Sequence, residues 1–157
     1  MKIKLICVGK TIKPFLREGE DEYLRRINHY SPIEKVEIPE LKNTKYLTHN
    51  EIKEKEGELI LKKIKAGEII ILLDENGKEY RSIEFSNYLQ KKFNSGGKGL
   101  TFIIGGAYGF SNNVHKKSNE KISLSKMTFS HQMIRLFFLE QIYRGHTILK
   151  GEPYHHG

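Results

Sequence analysis

Five consecutive apolar residues, Ile69-Ile70-Ile71-Leu72-Leu73, stop abruptly at Asp74 and constrain the fold more than any other feature of the chain. Successive side chains of a strand point to opposite faces, so a run with no polar alternation leaves neither face for water. Strands of that kind belong to parallel sheets covered by helices on both sides. Leu100 to Ile104, running into Gly105-Gly106, repeats the pattern, and Ile3 to Val8, running into Gly9, is nearly as apolar.

Helical spacing fills the gaps between these runs. Phe15, Leu16, Tyr23, Leu24, Ile27 and Tyr30 follow Pro14, a residue suited to the first helical position. Ile33 to Ile38, bracketed by Pro32 and Pro39, reads as a short strand near a sheet edge. Thr48 caps a helix carrying Ile52, Leu59, Ile60 and Ile64, with Gly67 as its stop signal. Ser82 opens a helix through Phe93, Ser111 to Asn119 is a short polar helix, Ile122 and Leu124 mark a brief strand, and a last helix covers about 130–150. Strand and helix alternate throughout, so the class is α/β with a mainly parallel sheet and helices on both faces. At 157 residues the chain suits a single domain, 1–157. No apolar run approaches the roughly 20 residues a membrane helix needs. The opening MKIKLICVGK reads as a first strand rather than a leader. Cys7 stands alone in a strand and reads as a buried, inert thiol, which fits a reducing, cytoplasmic setting.

Two features point to partners. In the last helix Leu136, Phe137, Phe138 and Leu139 cover every direction of the helical wheel, which favours a second subunit over its outer face and hence a homodimer. Charge is lopsided: residues 1–80 hold 16 Lys/Arg against 15 Asp/Glu, whereas 81–157 hold 11 against 4. A one-sided basic excess is the footprint of a polyanion such as nucleic acid.

Ligands of parallel sheets gather at the carboxyl ends of strands. Three such ends stand out: Leu73 to Gly77, Gly105-Gly106-Ala107-Tyr108-Gly109, and Leu124 to Phe129. The glycines let backbone approach a ligand, and a bulky residue at Gly106 is expected to intrude there. The cluster matches neither the Walker loop nor the G-x-G-x-x-G fingerprint. No metal-ligand spacing accompanies His155-His156, and no nucleophile motif is present. What remains is a reaction that asks mainly for alignment, and methyl transfer from an already activated sulfonium donor fits.

Taken in order, LLDENGK, FIIGGAYGF, SLSKMTFSHQMIRLFFLEQIYR and the ending GEPYHHG resemble the RlmH (YbeA) family of small SPOUT methyltransferases. The opening strand with VGK and the segment KEKEGE match as well, so the likeness spans essentially the whole chain. The resemblance implies a SPOUT fold with a C-terminal deep trefoil knot, and a homodimer. It implies S-adenosyl-L-methionine as methyl donor, no metal, and N3-methylation of pseudouridine 1915 in helix 69 of 23S rRNA on assembled 70S ribosomes. Residue by residue, the donor pocket would comprise Leu73, Gly105, Leu124, Ser125, Lys126, Met127, Thr128 and Phe129. Arg144, Tyr154 and His155 would serve the acceptor base: Arg144 steadying a developing anion, His155 taking its proton, Tyr154 stacking or hydrogen-bonding. The chain ends His156-Gly157, where the resemblance leads one to expect a basic residue after the histidine, as in many relatives.

Each assignment has a plainer counterpart in the residues themselves. Arg144 lies one turn from Glu140 and suits an i,i+4 ion pair. Tyr154 and His155 suit a frayed tail, and Phe129 suits a core. The competing function is a non-catalytic α/β protein that binds RNA through its basic C-terminal half.

Overall fold

The computed structural model describes residues 1–157 as β1 (Ile3–Val8), α1 (Pro14–Asn28), β2 (Ile33–Ile38), α2 (His49–Leu61), β3 (Glu68–Glu79), α3 (Ser82–Phe93), β4 (Gly99–Ile104), α4 (Asn112–Lys117), β5 (Glu120–Ser123) and α5 (Met133–Leu149). The three apolar runs become adjacent strands at the centre of one sheet, in the order β2-β1-β4-β3-β5. All four pairings are parallel. The Pro-bracketed strand β2 lies at one edge, where a missing N–H does least harm.

Side-chain parity divides the core in two. Ile3, Leu5, Cys7, Ile71, Leu100, Phe102 and Ile104 face α1, α3 and α5 and pack with Ile27, Phe85, Leu89, Phe138 and Ile142. Ile6, Val8, Ile70, Leu72 and Ile103 face the other way and pack with Ile60 of α2, Val114 of α4 and Phe110 just before α4. Helices therefore cover both faces. Thr48 caps α2 as its sequence suggests, in a capping box: its hydroxyl accepts from the Glu51 N–H, and the Glu51 carboxylate returns to the Thr48 N–H.

Apart from α2, which ends at Leu61 and leaves Ile64 outside, two boundaries differ from the sequence reading. The strand that begins with the apolar run does not stop at Asp74 but continues to Glu79, with a break in register against β5 between Leu73 and Lys78. Within the break Asp74 Oδ1 accepts from the Asn76 N–H at 2.8 Å. A Cβ at Gly77 would lie 2.5 Å from the Ile122 backbone, so only glycine lets the bulge press against β5. The other difference is Leu124, which falls outside β5. The strand ends at Ser123, whose hydroxyl donates to the Ser125 carbonyl at 2.9 Å and turns the chain.

The start of α5 is fixed to the end of β1 by Arg135, which is completely buried. Its guanidinium donates to the carbonyls of Val8 (2.7 Å), Gly9 (2.9 Å) and His131 (2.9 Å) and to the Thr11 hydroxyl (3.1 Å). Glu20, Lys35 and Glu37 complete the cluster around Thr11. A buried guanidinium is tolerable only with its donors used in this way.

Candidate active site

The carboxyl ends of β3, β4 and β5 enclose a cavity of about 650 Å³, within the range of small-molecule sites. Leu73, Gly105, Leu124, Ser125, Met127, Thr128 and Phe129 all line it. Lys126 is exposed in the same loop and is not part of the lining. The loop is shaped by its own polar atoms, with the Met127 N–H donating to Ser125 Oγ at 2.9 Å. Phe129 is not a core residue. It is 40% exposed and its ring lies 5.3 Å from that of Phe137 on α5. Leu73, Leu124, Met127 and Phe129 offer apolar walls, while Asp74 and Glu75 bring carboxylates to the same cavity. That chemistry fits a donor with a flat heteroaromatic ring and a cationic sulfonium centre.

The glycine turn between β4 and α4 is closed by the Gly109 N–H donating to the Gly106 carbonyl at 3.2 Å, with Gly109 at φ +83°. The space behind Gly106 is taken up by the protein itself. A Cβ there would meet the Glu56 carboxylate oxygens at 2.8 and 2.9 Å, so α2, not an incoming ligand, occupies that space. Glu56 Oε1 is buried without a hydrogen-bond partner. Burial first, and the nearby Glu40 second, push this carboxyl above the usual range.

The C-terminal tail is docked, not frayed. Gly151, at φ +67°, turns the chain back along α5, and the Glu152 N–H donates to the Thr147 carbonyl at 2.9 Å. The Tyr30 hydroxyl donates to Glu152 at 2.7 Å, holding the turn against the end of α1. Glu140 Oε1 then collects two donors, Arg144 Nη2 at 2.6 Å and the Tyr154 hydroxyl at 2.9 Å. Having donated to Glu140, Tyr154 receives the Tyr23 hydroxyl at 3.3 Å. The Arg144 guanidinium lies 4.8 Å from the Tyr154 ring centre and its Nη1 contacts His155 Nδ1 at 3.1 Å. The i,i+4 ion pair expected of Arg144 and Glu140 therefore forms, and the same arginine also reaches the tail. Glu140 raises the Arg144 pKa further. Burial, then the bonds to Tyr23 and Glu140, lift the Tyr154 hydroxyl well above the usual phenol range.

A guanidinium has no lone pair to offer, so His155 Nδ1 is the acceptor and, in the neutral ring, Nε2 carries the proton. The arrangement gathers one cation and one hydroxyl on a single carboxylate, with the imidazole held by the cation. It can position a polar base and steady negative charge on it.

These two groups of residues are not brought together within the chain. No tail residue lines the cavity, whereas Ile134 does. Arg144 is ten residues further along α5, about 15 Å at the rise of an α-helix. Three contributors escaped the sequence reading. Glu140 registered only as a surface ion-pair partner, and Tyr23 and Tyr30 only as members of an apolar stripe. The hydroxyls of Tyr23 and Tyr30 meet residues more than a hundred positions away, which no local period signals. Cys7 is buried, and burial pushes its thiol up to about 12, so it takes no part in chemistry here. No group of three or more His, Cys, Asp or Glu side chains is arranged to hold a metal ion. No helix is long and apolar enough to cross a membrane.

Known proteins resemble this chain along its full length. A Parabacteroides distasonis protein named ribosomal RNA large subunit methyltransferase H is 57% identical over 156 residues, covering 99% of both chains. A Flavobacterium psychrophilum protein of the same name is 58% identical over the same span. Among solved structures, a probable methylase family protein from Haemophilus influenzae superposes with a TM-score of 0.51 at 10% identity, over 99% of this chain and 70% of that one, a likeness of fold alone. The sequence model of a family described as predicted SPOUT methyltransferases matches residues 1–155. A covered parallel sheet, a cavity at its strand ends and this full-length match have one explanation: the chain belongs to the SPOUT methyltransferase family.

Proposed function

We propose that the protein uses S-adenosyl-L-methionine to methylate N3 of pseudouridine 1915 in helix 69 of 23S rRNA, acting in the cytoplasm on assembled 70S ribosomes. The observation that carries the reading is the identity above one half, end to end, to relatives named ribosomal RNA large subunit methyltransferase H. Leu73, Gly105, Leu124, Ser125, Met127, Thr128 and Phe129 would hold the donor, with Lys126 beside them at the mouth. When bound, that donor supplies an activated methyl group.

The remaining work falls to the tail cluster. Loss of the N3 proton leaves negative charge on the pseudouridine ring. Arg144 stays protonated and offsets that charge, an electrostatic role suited to a group already fixed by Glu140. His155, with Nδ1 committed to Arg144, offers an Nε2–H to a ring oxygen. It accepts the proton only when the Arg144 contact breaks. Tyr154 keeps its own proton, since its hydroxyl donates to Glu140 and its pKa is raised. It orients the base rather than deprotonating it.

The distance along α5 supports a homodimer in which the tail of one copy serves the cavity of the other. Phe129, Met133 and Phe137 form an exposed apolar strip at the start of α5, and each is at least 40% exposed in the isolated chain. A strip of that kind suits a two-fold contact.

The test is transfer of labelled methyl from S-adenosyl-L-methionine to 70S ribosomes lacking the modification, followed by mapping of the base. Label at N3 of that pseudouridine is expected. Donor binding with label elsewhere, or on free 50S subunits equally well, would move the substrate.

A further inference from the structure

The lopsided charge points to the C-terminal half as the nucleic-acid face, yet the chain places a second basic and aromatic surface beside the cavity from its N-terminal half. The Pro39 to Asn50 stretch and the first turns of α2 carry Lys42, Lys45, Tyr46, His49 and Lys53. Tyr46 is 87% exposed with Lys45 Nζ 5.5 Å from its ring centre. His49 stacks on Tyr108 of the glycine turn, ring centres 3.9 Å apart and planes 20° from parallel. Tyr108 is 43% exposed, and both it and Lys53 line the cavity. Between residues 41 and 53 three lysines stand against one carboxylate, Glu51, which caps α2. The loop after β5 carries an exposed Lys126 and an exposed Met127, the latter in the cavity lining.

Tyr108 fills no core, and its hydroxyl has no protein partner among the hydrogen bonds that shape the turn. An exposed ring backed by a second ring, in a cavity wall that also carries Lys53, suits a nucleobase platform. The ring supplies a face that stacks on any base, and the lysines follow the phosphates.

We propose that Tyr108, backed by His49 and flanked by Lys53, stacks on an unpaired base of the RNA substrate next to the target nucleotide. The inference rests on the RNA-substrate reading above and assigns residues that reading leaves unused. The inner wall of the cavity takes the donor, whereas Tyr108 stands at the rim, where the substrate strand must pass to present its target. A platform that stacks without hydrogen-bonding the base edge tolerates any base, so it adds grip rather than sequence selectivity.

The test measures methyl transfer to 70S ribosomes at saturating donor for the full chain and for Tyr108→Ala, Tyr108→Leu, Tyr108→Phe and His49→Ala, with donor affinity measured separately by calorimetry. Loss of one stacked base predicts a rise in KM for ribosomes on the order of ten-fold for Tyr108→Ala and Tyr108→Leu. Tyr108→Phe should stay near the unaltered protein, His49→Ala should fall between, and donor affinity should not change in any of them. Unchanged KM in Tyr108→Ala and Tyr108→Leu overturns the inference. So does a loss of donor affinity in those variants, which would place the donor's own ring on Tyr108. If the unaltered chain binds donor but methylates no ribosome, the functional reading fails and takes the inference with it.

Discussion

Protonating His146 should destabilise the fold, and the size of the effect follows from its surroundings. The ring is buried on α5 between Tyr30 and Phe93, stacked on both at 5.2 and 5.4 Å. Its Nε2 has no hydrogen-bond partner, so an added proton there would be a buried charge facing two aromatic rings. Burial, with a smaller contribution from Lys150, lowers its pKa from the usual 6.5 to about 4. The folded protein therefore binds this proton more weakly than the unfolded chain, and stability drops as pH falls from about 6.5 to about 4. Linkage over that interval gives a loss of about 2 kcal/mol between pH 7 and pH 5, approaching about 3 kcal/mol below pH 4. Urea unfolding at the two pH values and one fixed protein concentration would measure it. His146→Phe keeps the stacked ring and removes the titration, so its pH 7 to pH 5 difference should be about 2 kcal/mol smaller than that of the unaltered protein. Equal differences in the two proteins would refute the reasoning. Tyr30 also anchors the tail through Glu152, so acid conditions should loosen the Tyr154-His155 segment before the sheet opens.

Arg135→Met should cost about 3–5 kcal/mol in the same assay, because it strands the Val8, Gly9 and His131 carbonyls and leaves Glu20 and Glu37 with Lys35 as their one cation; a loss under about 1 kcal/mol would contradict that account. Glu140→Gln removes the charge shared by Arg144 and Tyr154. It should lower kcat for methyl transfer by about ten-fold or more while donor affinity stays within about two-fold, and an unchanged kcat would detach the tail from catalysis. Gly106→Ala should destabilise by about 1 kcal/mol through contact with the Glu56 carboxylate, and Glu56→Ala in the same chain should relieve most of it. Additive losses in that double variant would show that the space behind Gly106 is not shared.

The sheet was legible because its information is local. An apolar run with no alternation reveals a doubly covered strand, and parity within Ile3 to Val8 or Leu100 to Ile104 even assigns side chains to the two cores. The same rule fails where polar residues continue a strand. Asp74 to Gly77 reads as a strand end, but the chain only bulges there, and β3 resumes pairing at Lys78 because Gly77 lets the bulge approach Ile122. Arg135 was invisible for a related reason. Within a helix of apolar residues a lone arginine reads as the solvent side, and only the meeting of α5 with the end of β1 makes it the most buried charge in the molecule. The tail is the extreme case. A docked Gly-Glu-Pro-Tyr-His-His and a frayed one have the same composition, and what distinguishes them is Tyr23 and Tyr30 on α1. Threading of a chain through a loop is further still from any residue spacing, so a knot enters only through family resemblance.

The placement of the two functional groups has a physical logic of its own. The cavity is built from strand ends, which the two cores hold rigidly, while the tail is irregular backbone that would fluctuate if left alone. Its order comes from its own chain: Glu140 and Tyr23 fix Tyr154, and Arg144 fixes His155. The conformational entropy of the tail is therefore lost on folding rather than at the moment the base arrives, which is what preorganised electrostatic groups require. Helix α5 carries the cavity wall at Ile134 and the cluster at Arg144, and its rigidity fixes their separation at about 15 Å. On the proposed reading that spacing prevents one chain from completing its own site, while a two-fold contact along the exposed strip of α5 would place each tail against the other cavity. A protein of 157 residues would then gain two complete sites from a single interface, and methyl transfer would be conditional on assembly.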